Sequence, residues 1–147
     1  MTRGLRVIAA ALLLSACQKA AEVKPATARD AYLMRCAACH QVNGEGYRPY
    51  YPPLAGSKWV DGPPERLAAI ILGGMQGPDG GYNGVMPAWS GILNDAEIAD
   101  LMTYLRQMDG KPPYSAIQVN VVRSQTAARN TFWTVEDLEN LGIHGPN

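Results

Sequence analysis

Cys36-Ala37-Ala38-Cys39-His40 brings two thiols and an imidazole into one short run. On a helix, Cys39 and His40 lie three and four residues beyond Cys36, so all three share one face a turn apart. Two sulfurs so placed can form thioethers with the vinyl groups along one porphyrin edge, while the imidazole takes an axial position on the iron. Cys-x-x-Cys-His therefore reads as a c-type haem attachment site. Other uses of the same residues fit less well. A thioredoxin-like dithiol belongs near a βαβ pattern, and no alternation of Val/Ile-rich strands with helices surrounds this one. A structural zinc ion takes four protein ligands, and outside the motif the sequence offers only Cys17 and His144. A Cys36 to Cys39 disulfide suits only a chain that never met haem.

The N-terminus bears on the compartment. Arg3 and Arg6 precede an apolar run from Val7 to Leu14 and then small residues, the order of a secretory signal peptide. The run is too short to span a bilayer, which takes about 20 apolar residues. Leu14-Ser15-Ala16-Cys17 resembles a bacterial lipoprotein box, which implies cleavage after residue 16 and lipidation of Cys17. The alternative is a plain signal peptide cleaved nearby, with Cys17 a spare thiol. Several acyl chains anchor stably where one binds only marginally. Residues 17–27, with Pro25, then read as a tether, and the expected location is a bacterial periplasm or outer cell face.

The chain has 147 residues and a formal charge of zero, enough for one domain with its own core. Loss of Arg3 and Arg6 leaves a slight acidic excess. Nothing in this balance points to nucleic acid, and no basic amphipathic helix points to a membrane surface.

Local signals build a helical protein. Thr27 caps a helix expected to run from Ala28 to about Ala38, with Tyr32 one turn ahead of Cys36. Pro64 opens a second, which stops at Gly73-Gly74. Asn94 and Glu97 form a capping-box-like start to a third, in which Ile98, Leu101, Met102, Leu105 and Met108 make an apolar stripe up to Gly110. The stretch from Gly73 to Gly84, rich in glycine, reads as an extended loop; it lacks the preceding strand and Lys-Ser/Thr ending of a phosphate-binding loop. Beyond Lys111-Pro112-Pro113, residues 117–128 are ambiguous between strand and short helix. Trp133 to Leu138 carries a cap with a staple-like Trp/Leu pair, and a final helix is expected to end at Gly142. The apolar content of this tail is too high for a disordered arm.

The motif, Tyr32 before it and Asp100-Leu101-Met102-Thr103-Tyr104-Leu105 together resemble class I cytochromes c over roughly residues 28 to 108. The resemblance implies an all-α fold, with three main helices around one covalently bound haem c. On this reading residues 1–16 are a lipoprotein signal peptide, 17–27 a tether, 28–110 the cytochrome domain and 111–147 a packed C-terminal extension. It also implies that the first and last core helices cross, Tyr32 against Leu101 and Tyr104.

His40 is then one axial ligand, and Met86 in Val85-Met86-Pro87-Ala88-Trp89 is the best candidate for the other, at a separation similar to that in small bacterial members. Pro87 favours an extended Met86. Met75 and His144 compete for the role, whereas Met34, Met102 and Met108 read as core side chains. Tyr51-Pro52-Pro53-Leu54 resembles the segment whose proline carbonyl accepts from the axial histidine; alignment on Leu54 selects Pro52, with Pro53 still open. Trp59 and Tyr82 are candidate donors to the haem propionates, or simply amphipathic rings at the edge of the core. Trp89 is a candidate flank for the Met86 loop.

His/Met ligation fills both axial positions and raises the reduction potential, which implies one-electron transfer rather than catalysis. The expected partners are a redox donor and acceptor met transiently, with no small-molecule substrate. Two alternatives stay open: a cytochrome subunit of a stable dehydrogenase or oxidase complex, and a haem enzyme or ligand-binding protein with a labile sixth ligand. The tail either limits access to one haem edge or adds stability alone.

Overall fold

The computed structural model describes residues 27–107 and 109–143. The expected signal peptide, Cys17, residues 18–26 of the expected tether, Met108 and His144 lie outside them. Helices α1 (Ala28–Arg35), α2 (Ala37–His40), α3 (Lys58–Asp61), α4 (Pro64–Gly73), α5 (Asp95–Gln107), α6 (Ala116–Thr126) and α7 (Val135–Glu139) follow in order. Among the described residues the only β pairing is isolated bridges.

Helices α1 and α5 start where a side chain satisfies their free N–H groups, whereas α4 opens on Pro64 with no side-chain cap. The Thr27 hydroxyl accepts from Asp30 N–H at 3.1 Å. At α5 the exchange is reciprocal, Glu97 N–H to Asn94 and Asn94 N–H to Glu97, both at 3.0 Å. Helix α1 packs on α5, and Tyr32, only 1% exposed, sets its ring 5.6 Å from that of Tyr104. Its hydroxyl donates to the Gln41 carbonyl at 2.5 Å.

Helix α4 buries every residue from Leu67 to Leu72. A helix apolar all round must be covered all round; α3, α5 and α6 pack against it. Arg106 near the end of α5 is buried, and its Nη1 donates to the carbonyls of Val60 at 2.8 Å and Gly62 at 3.2 Å, fastening α5 to the end of α3.

Four local expectations need correction or sharpening. The first helix breaks at Cys36 instead of running on to Ala38: Cys39 N–H and His40 N–H both turn to the Cys36 carbonyl, at 3.1 and 2.9 Å, a tightening of the turn. Met34 is not core but 51% exposed, since two residues past buried Tyr32 means about 200° around the helix. Residues 117–128 are mainly helix, because Ser115 and Gln118 form a full capping box and α6 packs on both α4 and α5. The last helix stops at Glu139, not Gly142: the Asn140 side-chain amide donates to the Glu136 carbonyl at 3.0 Å and closes it early.

Candidate haem site

The turn at Cys36 aims the motif into an apolar cleft. Cys36, Cys39 and His40 line it, together with Leu54, Val60, Leu67, Ile70 and Leu101, and Met75 and Met86 line it too. Pro52, Trp59 and Tyr82 also face this cleft, as does Trp89.

His40 is held in a defined state. Its Nδ1 lies 3.0 Å from the Pro52 carbonyl oxygen. A carbonyl can only accept, so Nδ1 carries the proton and Nε2 keeps its lone pair. Burial pushes the imidazole below its usual pKa, with the Pro52 bond partly opposing, which favours the neutral, ligating form. Of the two candidate prolines, Pro52 makes the bond. Gly46 explains how its carbonyl comes so near: at φ +69, a Cβ on Gly46 would stand 2.6 Å from the Pro52 carbonyl carbon and oxygen. Only glycine accepts that conformation without strain, and Gly46 N–H bonds back to the His40 carbonyl at 3.0 Å.

Cys36 and Cys39 are unbridged. Burial pushes the Cys36 thiol up to about 11, so before any thioether forms it is protonated at neutral pH. Among the described residues no group of three or more His, Cys, Asp or Glu could hold a metal ion.

Met75 and Met86 are backbone partners: Met75 N–H donates to Met86 O at 3.0 Å and Met86 N–H to Met75 O at 2.9 Å. The loop between them crosses to the Tyr47–Tyr51 turn, where Asn83 and Gly84 N–H reach the Pro49 and Tyr50 carbonyls, each at 3.0 Å. The sequence reading missed three contacts of this rim. Trp59 Nε1 donates to Asp79 at 2.5 Å, and Lys58 meets the same carboxylate at 3.1 Å. Arg48 lies 4.9 Å from the centre of the Tyr82 ring. An Asp in a glycine loop gives no sign of a partner 20 residues away.

The cleft suits a haem c. Two thiols and a neutral imidazole sit together at an apolar slot, with a thioether among its other lining groups, and the polar rim carries N–H and guanidinium groups able to meet carboxylates.

Comparison with known proteins gives the same answer. The family model described as Cytochrome c matches residues 26–109. Cytochrome c-552 of Thermus thermophilus is 33% identical over 106 residues, covering 62% of this chain and 80% of that protein. The cytochrome c subunit of alcohol dehydrogenase (quinone) from Gluconobacter oxydans is 33% identical over 82 residues, 53% of this chain but 17% of that protein. The Cbb3-type cytochrome c oxidase subunit CcoP of Azospirillum sp. (strain B510) is 36% identical over 104 residues, 67% of this chain and 33% of that subunit. With the attachment motif at the wall of an apolar cleft and the family match spanning most of the described fold, the chain belongs to the cytochrome c family of electron carriers that hold haem c covalently.

Proposed function

We propose that the chain is a lipid-tethered one-electron carrier whose haem is ligated by His40 and Met86. The observation that carries this reading is the bond from His40 Nδ1 to Pro52: it orients the ring, fixes the tautomer and frees Nε2 for iron. When bound, haem c supplies a ferrous/ferric couple, and His/Met ligation raises its potential. Cys36 and Cys39 would hold the group covalently as thioethers. Met86, held extended by Pro87 and by its pairing with Met75, would supply the second ligand. The apolar walls of the cleft would exclude water and so limit solvent reorganisation when charge changes. Trp59 and Tyr82 serve as hydrogen-bond donors to the propionates, with Asp79 competing for the Trp59 N–H.

The test is spectroscopic. The ferric protein should show the red absorption band of thioether ligation, titrate as one electron, and in ferrous form refuse carbon monoxide. Met86→Ala should abolish the band, lower the potential and admit carbon monoxide. Carbon monoxide binding by the native ferrous protein would overturn the reading in favour of a labile sixth ligand.

Lipidation of Cys17 is supported by the order of charged, apolar and small residues before it. Labelled fatty acid should enter the wild-type chain and not Cys17→Ser, with the tethered protein at the periplasmic or outer cell face. Its donor and acceptor are redox proteins docking transiently. The relatives named as dehydrogenase and oxidase subunits favour a second reading, a resident cytochrome of a stable complex. Copurification from native membranes at constant stoichiometry selects that reading; a free monomer exchanging electrons with several soluble partners selects the first.

A further inference from the structure

The segment bearing Met86 has a neighbour from the far end of the chain. Met75 uses its own N–H and C=O on Met86, and the groups on either side of it face the opposite way. There Trp133 N–H donates to the Gly74 carbonyl at 3.0 Å, and Gln76 N–H donates to the Trp133 carbonyl at 2.9 Å. Three extended segments therefore lie side by side, Met86 then Met75 then Trp133. Side chains reinforce the backbone. The Trp133 indole packs against Gly73, its Nε1 only 2.7 Å from where a Cβ would stand, and the Arg129 guanidinium covers its ring at 3.9 Å. A Cβ on Gly74 would meet Phe132 at 2.7 Å and the Met86 carbonyl at 2.5 Å, so these two groups flank one glycine.

A second grip holds the chain downstream of Met86. Arg123 on α6 donates to the Ser90 carbonyl at 2.7 Å and to the Leu93 carbonyl at 2.8 Å, while its Nε pairs with Asp95 at 2.6 Å. Both grips come from beyond residue 110. Resting on the assignment of Met86 as axial ligand, we propose that Trp133 and Arg123 are positioning residues for that ligand, the C-terminal extension acting as a brace that keeps the Met86 thioether on the iron.

The physical argument concerns the displaced state. A neutral thioether is a modest ligand, and its persistence depends on how little the chain gains by letting go. A braced segment gains little freedom on release, whereas a loosened one recovers backbone entropy worth about one residue. Loosening the brace should therefore favour displacement of Met86 by an added ligand even where the fold stays intact.

The experiment uses full-length haem-loaded protein and imidazole as probe, under conditions where every variant is fully folded by circular dichroism. Trp133→Ala should raise apparent imidazole affinity of the ferric form about tenfold, the equivalent of freeing about one residue's worth of backbone, and the red thioether band should vanish at correspondingly lower imidazole. Arg123→Gln should act in the same direction. Trp133 Nε1 has no hydrogen-bond partner among the described residues, so Trp133→Phe loses no hydrogen bond and keeps an aromatic ring beneath Arg129; it should give an affinity between those of wild type and Trp133→Ala. Ile98→Ala supplies the control, since Ile98 is fully buried on α5 and its loss costs stability while removing none of the hydrogen bonds or ring contacts of the brace. Imidazole affinity unchanged in Trp133→Ala, or raised equally in Ile98→Ala, would overturn the brace. A thioether band that survives Met86→Ala would instead overturn the ligand assignment beneath it.

Discussion

Gly46→Ala is the most direct probe of how the chain holds His40. Two costs add. Alanine at φ +69 carries about 1 kcal/mol of left-handed strain, up to about 2. Its Cβ also meets the Tyr51 carbonyl oxygen and, at 2.6 Å, the Pro52 carbonyl carbon and oxygen, and these are backbone atoms that must move. That motion costs the His40 bond, about 1 kcal/mol, for a total of about 2 to 3. Gly56 separates the two, because it has φ +67 with nothing within 4 Å of an added Cβ. Gly56→Ala bears the strain alone, so it should lose about 1 kcal/mol. The assay is guanidinium unfolding of the haem-loaded proteins, followed by far-ultraviolet circular dichroism and by haem absorbance. Gly46→Ala should lose about twice as much stability as Gly56→Ala and should also raise the reduction potential, since an imidazole without its carbonyl partner is a poorer donor and stabilises ferric iron less. Equal losses in the two variants, with equal potentials, would refute the claim that Gly46 exists to let Pro52 reach His40.

Burial pushes both Tyr32 and Tyr114 up to about 12 from an ordinary 10.0. The folded chain thus holds these protons more tightly, and the associated stability is full below pH 10.0 and lost as pH rises through about 12. The Tyr114 hydroxyl has no partner among the described residues, so Tyr114→Phe should keep the packing and flatten the alkaline fall in unfolding midpoint. At Asp95 burial alone would raise the carboxyl, but bonds from Arg123 and Asn120 outweigh it and hold the group below its usual 3.8. Its stabilisation is present above that value and lost as pH falls through the lower folded pKa, so Arg123→Gln should shrink the acid loss of stability measured by chemical unfolding. Tyr32→Phe deletes the bond to Gln41 and should cost about 1 kcal/mol by denaturant titration; an unchanged midpoint would show that bond to be worthless.

What could be read from the sequence was what local chemistry encodes. The attachment motif works through neighbours three and four residues apart, and the caps at Thr27 and Asn94 act within one turn, so both were legible. Residues 117–128 were not, because Ile117, Val119 and Val121 alternate as in a strand while Ser115 and Gln118 specify a helix start; packing on α4 and α5 decided between them. Met34 misled because an apolar residue in a helical stretch was assigned inward without asking which way it turned relative to Tyr32. At the cleft, Cys36, Cys39, His40 and Met86 were visible as chemical types. Gly46 was visible only as a glycine, and the Trp59 to Asp79 and Arg123 to Ser90 bonds span 20 and 33 residues, beyond the reach of any local pattern.

The third extended segment beside Met75 bears on how this fold can be transplanted. The family match ends at residue 109, and a piece cut there would retain Cys36, Cys39, His40 and Met86 while baring the flanks of α4 and α5 on which α6 lies. Such a cassette would look chemically whole and be mechanically short of a wall. Splicing this carrier onto an electrode-binding tag or into a fusion enzyme therefore calls for keeping the chain at least as far as Ile143 and attaching the cargo after it.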